Sequence, residues 1–150
     1  MMRKIAGRIA VAVVAGVLAL PALAVDNAAT QDKPDLAPAR AKIDANDFAG
    51  AIGLLTPLLT KYQDPDVYNL LGFSYRKSGD QKQAATFYQK ALDTDPNFKP
   101  TLEYQGEMFL MQGNMDGAKA NLAKLATLCP SGCEEKDDLE KAIAAGAPVN

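Results

Sequence analysis

Residues 65–98 read PDVYNLLGFSYRKSGDQKQAATFYQKALDTDPNF, and residues 99–132 read KPTLEYQGEMFLMQGNMDGAKANLAKLATLCPSG. The two stretches share one pattern at a spacing of 34 residues. Gly72 recurs as Gly106, Gly79 as Gly113, Ala84 as Ala118, Lys90 as Lys124 and Pro96 as Pro130. Tyr75 is matched by Phe109, and Tyr88 by Leu122. A fixed period of this length specifies a stack of supersecondary units, each of which buries its apolar face only against a neighbour.

Each unit reads as two helices. Val67, Leu70, Leu71 and Tyr75 recur at helical spacing, and Ser78-Gly79-Asp80 breaks the run. A second helix restarts near Gln81 and passes through Ala84, Ala85, Tyr88, Ala91 and Leu92 to Asp95-Pro96, where proline stops it. The second unit repeats this order. Leu102, Gly106 and Phe109 face inward and Gln112-Gly113-Asn114 turns. Ala118, Leu122 and Leu125 return, and Cys129-Pro130 ends the helix. Gly72, Gly106, Ala84 and Ala118 are small where the two helices of a hairpin are expected to touch.

The pattern resembles the tetratricopeptide repeat family, whose unit is a 34-residue helix-turn-helix. Its large aromatic position falls on Tyr68, its Leu-Gly pair on Leu71-Gly72 and its later aromatic on Tyr75. Its small residues fall on Ala84 and Ala91, and its terminal proline on Pro96. The copy at 99–132 is looser, with Leu102, Gln105 and Leu125 at the corresponding places. Residues 38–64 read as a divergent copy that precedes these. Asn46-Asp47-Phe48 falls at the turn, and Ala51, Leu55 and Leu58 stand in for Ala84, Tyr88 and Ala91 after a one-residue slip. Pro38 is expected to shorten its first helix to Ala39–Ala45, and Pro57 to kink or delay its second. The fold class is therefore an all-α, short solenoid of three helical hairpins, followed by a capping helix at 133–146.

Residues 1–24 have the order of a secretory signal peptide: Arg3, Lys4 and Arg8, then apolar Ile9–Leu20, then Ala22-Leu23-Ala24 as a cleavage site. The apolar run is shorter than the ~20 residues that a membrane span needs. Residues 25–37 read as a flexible leader. Cleavage after Ala24 leaves about 125 residues, enough for one small domain. It removes three positive charges and no negative ones, so the formal charge moves from −2 to −5. That balance disfavours nucleic acid as a partner. The mature chain is expected in the periplasm or outside the cell, with no membrane span.

Ser131 and Glu134 are spaced as a capping box, and Glu134, Glu135, Asp137 and Asp138 load the first turn of the last helix with negative charge. Leu139, Ala142, Ile143 and the stem of Lys136 form its inner stripe, its acidic face looks outward, and Gly146 and Pro148 end it.

Cys129 and Cys133 are the two cysteines of the chain. In an exported protein an even count reads first as a disulfide, here tying the capping helix to the last repeat. Two sharper readings use the same pair. One is thiol-redox chemistry, with Cys133 near a helix N-terminus that lowers a thiol pKa. The other is copper(I) handling with Met108, Met111 and Met115 upstream. Free thiols or intermolecular pairing complete the alternatives. The chain has no histidine, which excludes Ser-His-Asp and Cys-His catalysis. It carries no phosphate-binding glycine loop and no zinc-ligand cluster. No catalytic residues and no cofactor are assigned.

The resemblance implies a concave groove lined by the first helix of each repeat. Carried over by position, it holds Asp66, Asn69, Phe73 and Arg76 from one repeat and Pro100, Glu103, Glu107 and Leu110 from the next. The candidate partner-binding residues are Asn69, Phe73, Arg76, Glu103, Glu107 and Leu110. They suit a peptide with an apolar anchor and a basic group. Phe73 has a second reading, packing against the divergent repeat. The carboxylate-clamping chaperone-tail subfamily usually has Lys where Asn69 stands and Asn where Phe73 stands, so that specialisation does not fit. The expected function is a non-enzymatic interaction module for a peptide or partner protein. The alternatives are thiol or copper(I) chemistry at Cys129 and Cys133, and self-association through the repeat faces.

Overall fold

The structure is a computed structural model that describes residues 33–146. The signal segment, most of the leader and Pro148 lie outside the described residues. Seven α-helices follow in order: α1 (Ala37–Asp44), α2 (Phe48–Leu55), α3 (Pro65–Lys77), α4 (Gln81–Thr94), α5 (Lys99–Met111), α6 (Met115–Leu128) and α7 (Glu134–Ala145). They pack as adjacent pairs, α1 with α2, α3 with α4 and α5 with α6, and α7 lies against α5 and α6. This is a short α-solenoid with a covering helix, as the 34-residue period requires.

The three hairpins close with the same chemistry. A residue in the left-handed region sits at each turn: Asn46 at φ 57°, Gly79 at 90° and Gly113 at 74°. The next residue donates its backbone N–H five residues back, Asp47 to Lys42, Asp80 to Tyr75 and Asn114 to Phe109. That same residue then caps the following helix. The side chains of Asp47, Asp80 and Asn114 accept from the N–H of Gly50, Gln83 and Gly117 at 2.9, 3.0 and 3.0 Å. Every turn therefore satisfies the end of one helix and the start of the next within a few residues. The first hairpin, whose sequence diverges most, keeps the full set, with Asn in place of Gly.

The core lies mainly at the seams between neighbours. Ala39, Ala51, Leu55, Val67, Leu70 and Leu71 join α1 and α2 to α3. Ala84, Tyr88 and Met108 join α4 to α5. Leu102, Leu125 and Leu139 join α5 and α6 to α7. Gly72 lies against the ring of Tyr88, where an added Cβ would stand 2.5 Å from a ring carbon. Burial pushes the Tyr88 hydroxyl pKa up.

Several expectations are corrected. α1 begins at Ala37, because proline is tolerated in the first turn, where its missing N–H has no intrahelical partner. α2 begins on time at Phe48, and the chain tightens at Pro57 into a 3-10 turn, Thr56–Thr60. The nearest neighbour of Gly106 lies on the capping helix: an added Cβ there would stand 2.6 Å from Leu139 of α7. The capping box is not formed. Cys133 is the cap residue of α7 and makes no side-chain cap bond, because Glu134 is already the first helical residue. Ser131 sits in the preceding turn, which Gly132 closes by donating to the Cys129 carbonyl. Lys136 is half-buried, and its ammonium pairs with Glu140 at 3.5 Å.

Candidate functional site

The first helices of the hairpins, α1, α3 and α5, lie side by side with α7 and enclose a cleft of about 490 Å³. Ile43 and Leu70 wall it from one side and Phe98 and Pro100 from the other, with Phe73 and Tyr104 between. The rings of Phe73 and Tyr104 lie 5.0 Å apart at a tilt. Phe73 also meets Phe48 of the preceding hairpin edge-on at 6.3 Å. The two readings of Phe73 therefore hold together: it packs on the divergent hairpin and still lines the cleft.

Two buried polar contacts hold α3 and α5 in register beneath this surface. Thr101 donates its hydroxyl to Asn69 Oδ1 at 2.9 Å, both side chains buried. Arg76 reaches Glu107 at 2.8 Å and contacts Met111 Sδ at 3.9 Å. The guanidinium also sits 5.5 Å from the centre of the Phe73 ring and 5.7 Å from that of Tyr104, within cation–π range.

Of the six residues named from sequence, Asn69, Phe73 and Glu103 line the cleft. Arg76 and Glu107 do not: each occupies the other across the seam, so neither charge is offered to a ligand. Leu110 is also absent from the lining and packs on the Leu102, Leu125 and Leu139 core. Sequence reasoning missed Tyr104, Phe98, Ile43 and the α7 carboxylates. Glu134, Glu135 and Asp138 line the cleft. These α7 residues were expected on an outer face, but α7 seats Leu139 against Gly106 as a further inner helix and turns them inward.

The cleft is acidic. Six carboxylates line it, those of Asp44, Asp66, Glu103, Glu134, Glu135 and Asp138, against one guanidinium, that of Arg40. Arg40 pairs with Asp66 at the rim. Glu103 is only 9% exposed. Burial, then the charges of Glu107, Asp138, Glu135 and Glu134, push its carboxyl up to about 8. Burial and the same two glutamates of α5, Glu103 and Glu107, also raise the Tyr104 hydroxyl.

Cys129 and Cys133 form a disulfide with their Cα atoms 5.9 Å apart. It joins the end of α6 to the start of α7, and neither residue lines the cleft. The methionines do not gather around it. Met108 is buried with Ala84 and Tyr88, and Met111 receives Arg76. Among the described residues no group of three or more acidic, His or Cys side chains is placed to hold a metal ion. No helix among them is long and apolar enough to cross a membrane.

A helical-hairpin array around a concave cleft defines a repeat scaffold. Residues 65–98 match the sequence model of the tetratricopeptide repeat. No curated protein matches the chain.

Proposed function

We propose that the chain is an exported, non-enzymatic interaction module that holds a peptide or a segment of a partner protein in its concave cleft. The tetratricopeptide repeat at 65–98 supports a role in protein–protein interaction. The observation that carries the finer reading is the cleft itself, which combines an aromatic floor, Phe73 with Tyr104, and a lining of six carboxylates against one guanidinium. Apolar surface supplies affinity and fixed charges supply selectivity, the usual composition of a site for a short segment. Export rests on the order of charges, apolar run and small residues in 1–24. In this reading the mature protein starts at Val25 in the periplasm or the medium.

A photo-crosslinking residue placed at Asp66, on the cleft, is expected to trap a discrete partner in periplasmic extract. The same residue at Lys124, exposed on α6, is not. Equal trapping from both positions would reject the cleft as the binding surface. Mass spectrometry of the protein from that fraction checks the Val25 start.

A further inference from the structure

We propose that the cleft takes a lysine or arginine side chain of a partner segment against Glu103, with a neighbouring apolar residue of the same segment on Phe73 and Tyr104. This rests on the interaction reading above and adds the chemistry of the occupant.

Most of the cleft carboxylates are accounted for within the fold. Asp66 has Arg40, Glu135 faces Lys99 at 3.9 Å, and Asp138 receives Lys141 at 2.8 Å. Glu134 and Glu135 also sit in the first turn of α7, where the helix dipole favours negative charge. Glu103 has none of these explanations. It stands within α5, nine-tenths buried, and makes no hydrogen bond or ion pair among the described residues. A buried carboxyl without a partner is unfavourable, and a donor that reaches it recovers that loss. The nearby guanidinium of Arg76 is held by Glu107.

The missing partner is therefore a cation that enters from the cleft. A metal ion is disfavoured because among the described residues no group of three acidic, His or Cys side chains is placed to hold one. An organic cation on a stem fits better, since Ile43, Leu70, Phe98 and Pro100 offer apolar walls to the stem and its neighbour. A volume of about 490 Å³ admits a few side chains rather than a folded domain. The paired apolar and acidic surface selects a peptide segment over a free polyamine, which has nothing to place on the rings.

The cation replaces a proton. In the empty cleft Glu103 is held protonated at pH 7 by burial and by Glu107 on its own helix and Glu134, Glu135 and Asp138 on α7. Tyr104 and Lys99 on α5, Asp66 and Arg76 on α3, and Arg40 and Asp44 on α1 complete the charged and titratable surroundings. A bound ammonium or guanidinium favours the carboxylate, so the proton leaves as the segment arrives.

The test is calorimetric titration of the mature chain with acetylated, amidated Gly-Phe-X-Gly tetrapeptides, X being lysine, arginine or norleucine. Heats in phosphate and Tris at pH 7 give the protons released. The two cationic probes are expected to bind at least about ten-fold more tightly than norleucine, with release of about one proton. Glu103→Gln, which keeps the shape and the neutral state of the empty site, is expected to remove both effects while circular dichroism stays unchanged. Equal binding of norleucine at Phe73 and Tyr104, followed by their NMR shifts, would overturn the cationic assignment and leave the cleft as an interaction site. Binding of spermidine as tight as that of the peptides would overturn the peptide source. Failure of every probe to shift those rings would also overturn the proposal, while the crosslinking comparison decides the interaction reading separately.

Discussion

The guanidinium of Arg76 and the carboxylate of Glu107 meet at 2.8 Å across the seam between α3 and α5, with the arginine side chain only 4% exposed. Removing one partner leaves a buried charge alone. Glu107→Ala is expected to lower stability by about 3–5 kcal/mol. Replacing both groups, as in Arg76→Met with Glu107→Leu, is expected to lose far less, because no charge is stranded. Urea unfolding followed by circular dichroism checks both variants.

Gly72 and Gly79 are predicted to fail for different reasons. Gly72→Ala drives a methyl into the Tyr88 ring and is expected to cost about 1–3 kcal/mol. Combining it with Tyr88→Leu should lose less than the two single changes summed, since the clash is gone. Gly79 has open space around it but a φ of +90°. Gly79→Ala is therefore expected to cost about 1 kcal/mol whatever its neighbours do. Thermal melts of the four variants separate packing from backbone strain.

Glu103 gives stability a pH dependence of unusual sign for a carboxylate. Its folded pKa, about 8, lies above the ordinary value of 4.5. The folded state therefore holds the proton more tightly, and stability falls as pH rises between those values. Its contribution is complete below about 4.5 and lost above about 8. Glu103→Gln, which cannot ionise, should flatten that part of the profile. Unfolding midpoints measured from pH 5 to 9 against the wild type test it.

The Cys129–Cys133 bridge closes a loop with a sequence separation of 4. So short a loop restrains the unfolded chain little, and replacing both cysteines by serine is expected to cost about 2 kcal/mol. α7 should stay docked, since Leu139 in the Gly106 notch is fully buried independently of the bridge. Thiol titration of the native protein is expected to find no reactive cysteine, and two reactive thiols would reject the bridge.

The period in residues 65–132 was legible because it writes turns and small-residue contacts at fixed offsets. Gly79 and Gly113, Asp80 and Asn114 did what such residues do in isolation, and the hairpins followed. Pairing across seams was less legible. Arg76 and Glu107 look like surface charges when each helix is read alone, and only the stacking of α3 on α5 buries them. Leu110 was assigned to the groove by position, but the arrival of α7 draws it into the core. The α7 carboxylates joined the cleft for the same reason. Which face of α7 looks inward depends on where Gly106 receives Leu139, and no local propensity of α7 encodes that. Glu103 was named from its position alone; its isolation appears only when the neighbours of every other carboxylate are known.

The turns at Asn46, Gly79 and Gly113 complete their bonds within six residues of chain. Closing so short a loop demands little entropy, so each hairpin can assemble on its own before it meets the next. The seams then form last, and they are where the chain must choose between alternative alignments of one helix past another. Asn69 with Thr101 and Arg76 with Glu107 offer a matched donor and acceptor in one alignment only. A slip of a single helical turn would leave four buried polar groups without partners, so these pairs act as a checkpoint on assembly as much as a source of cohesion.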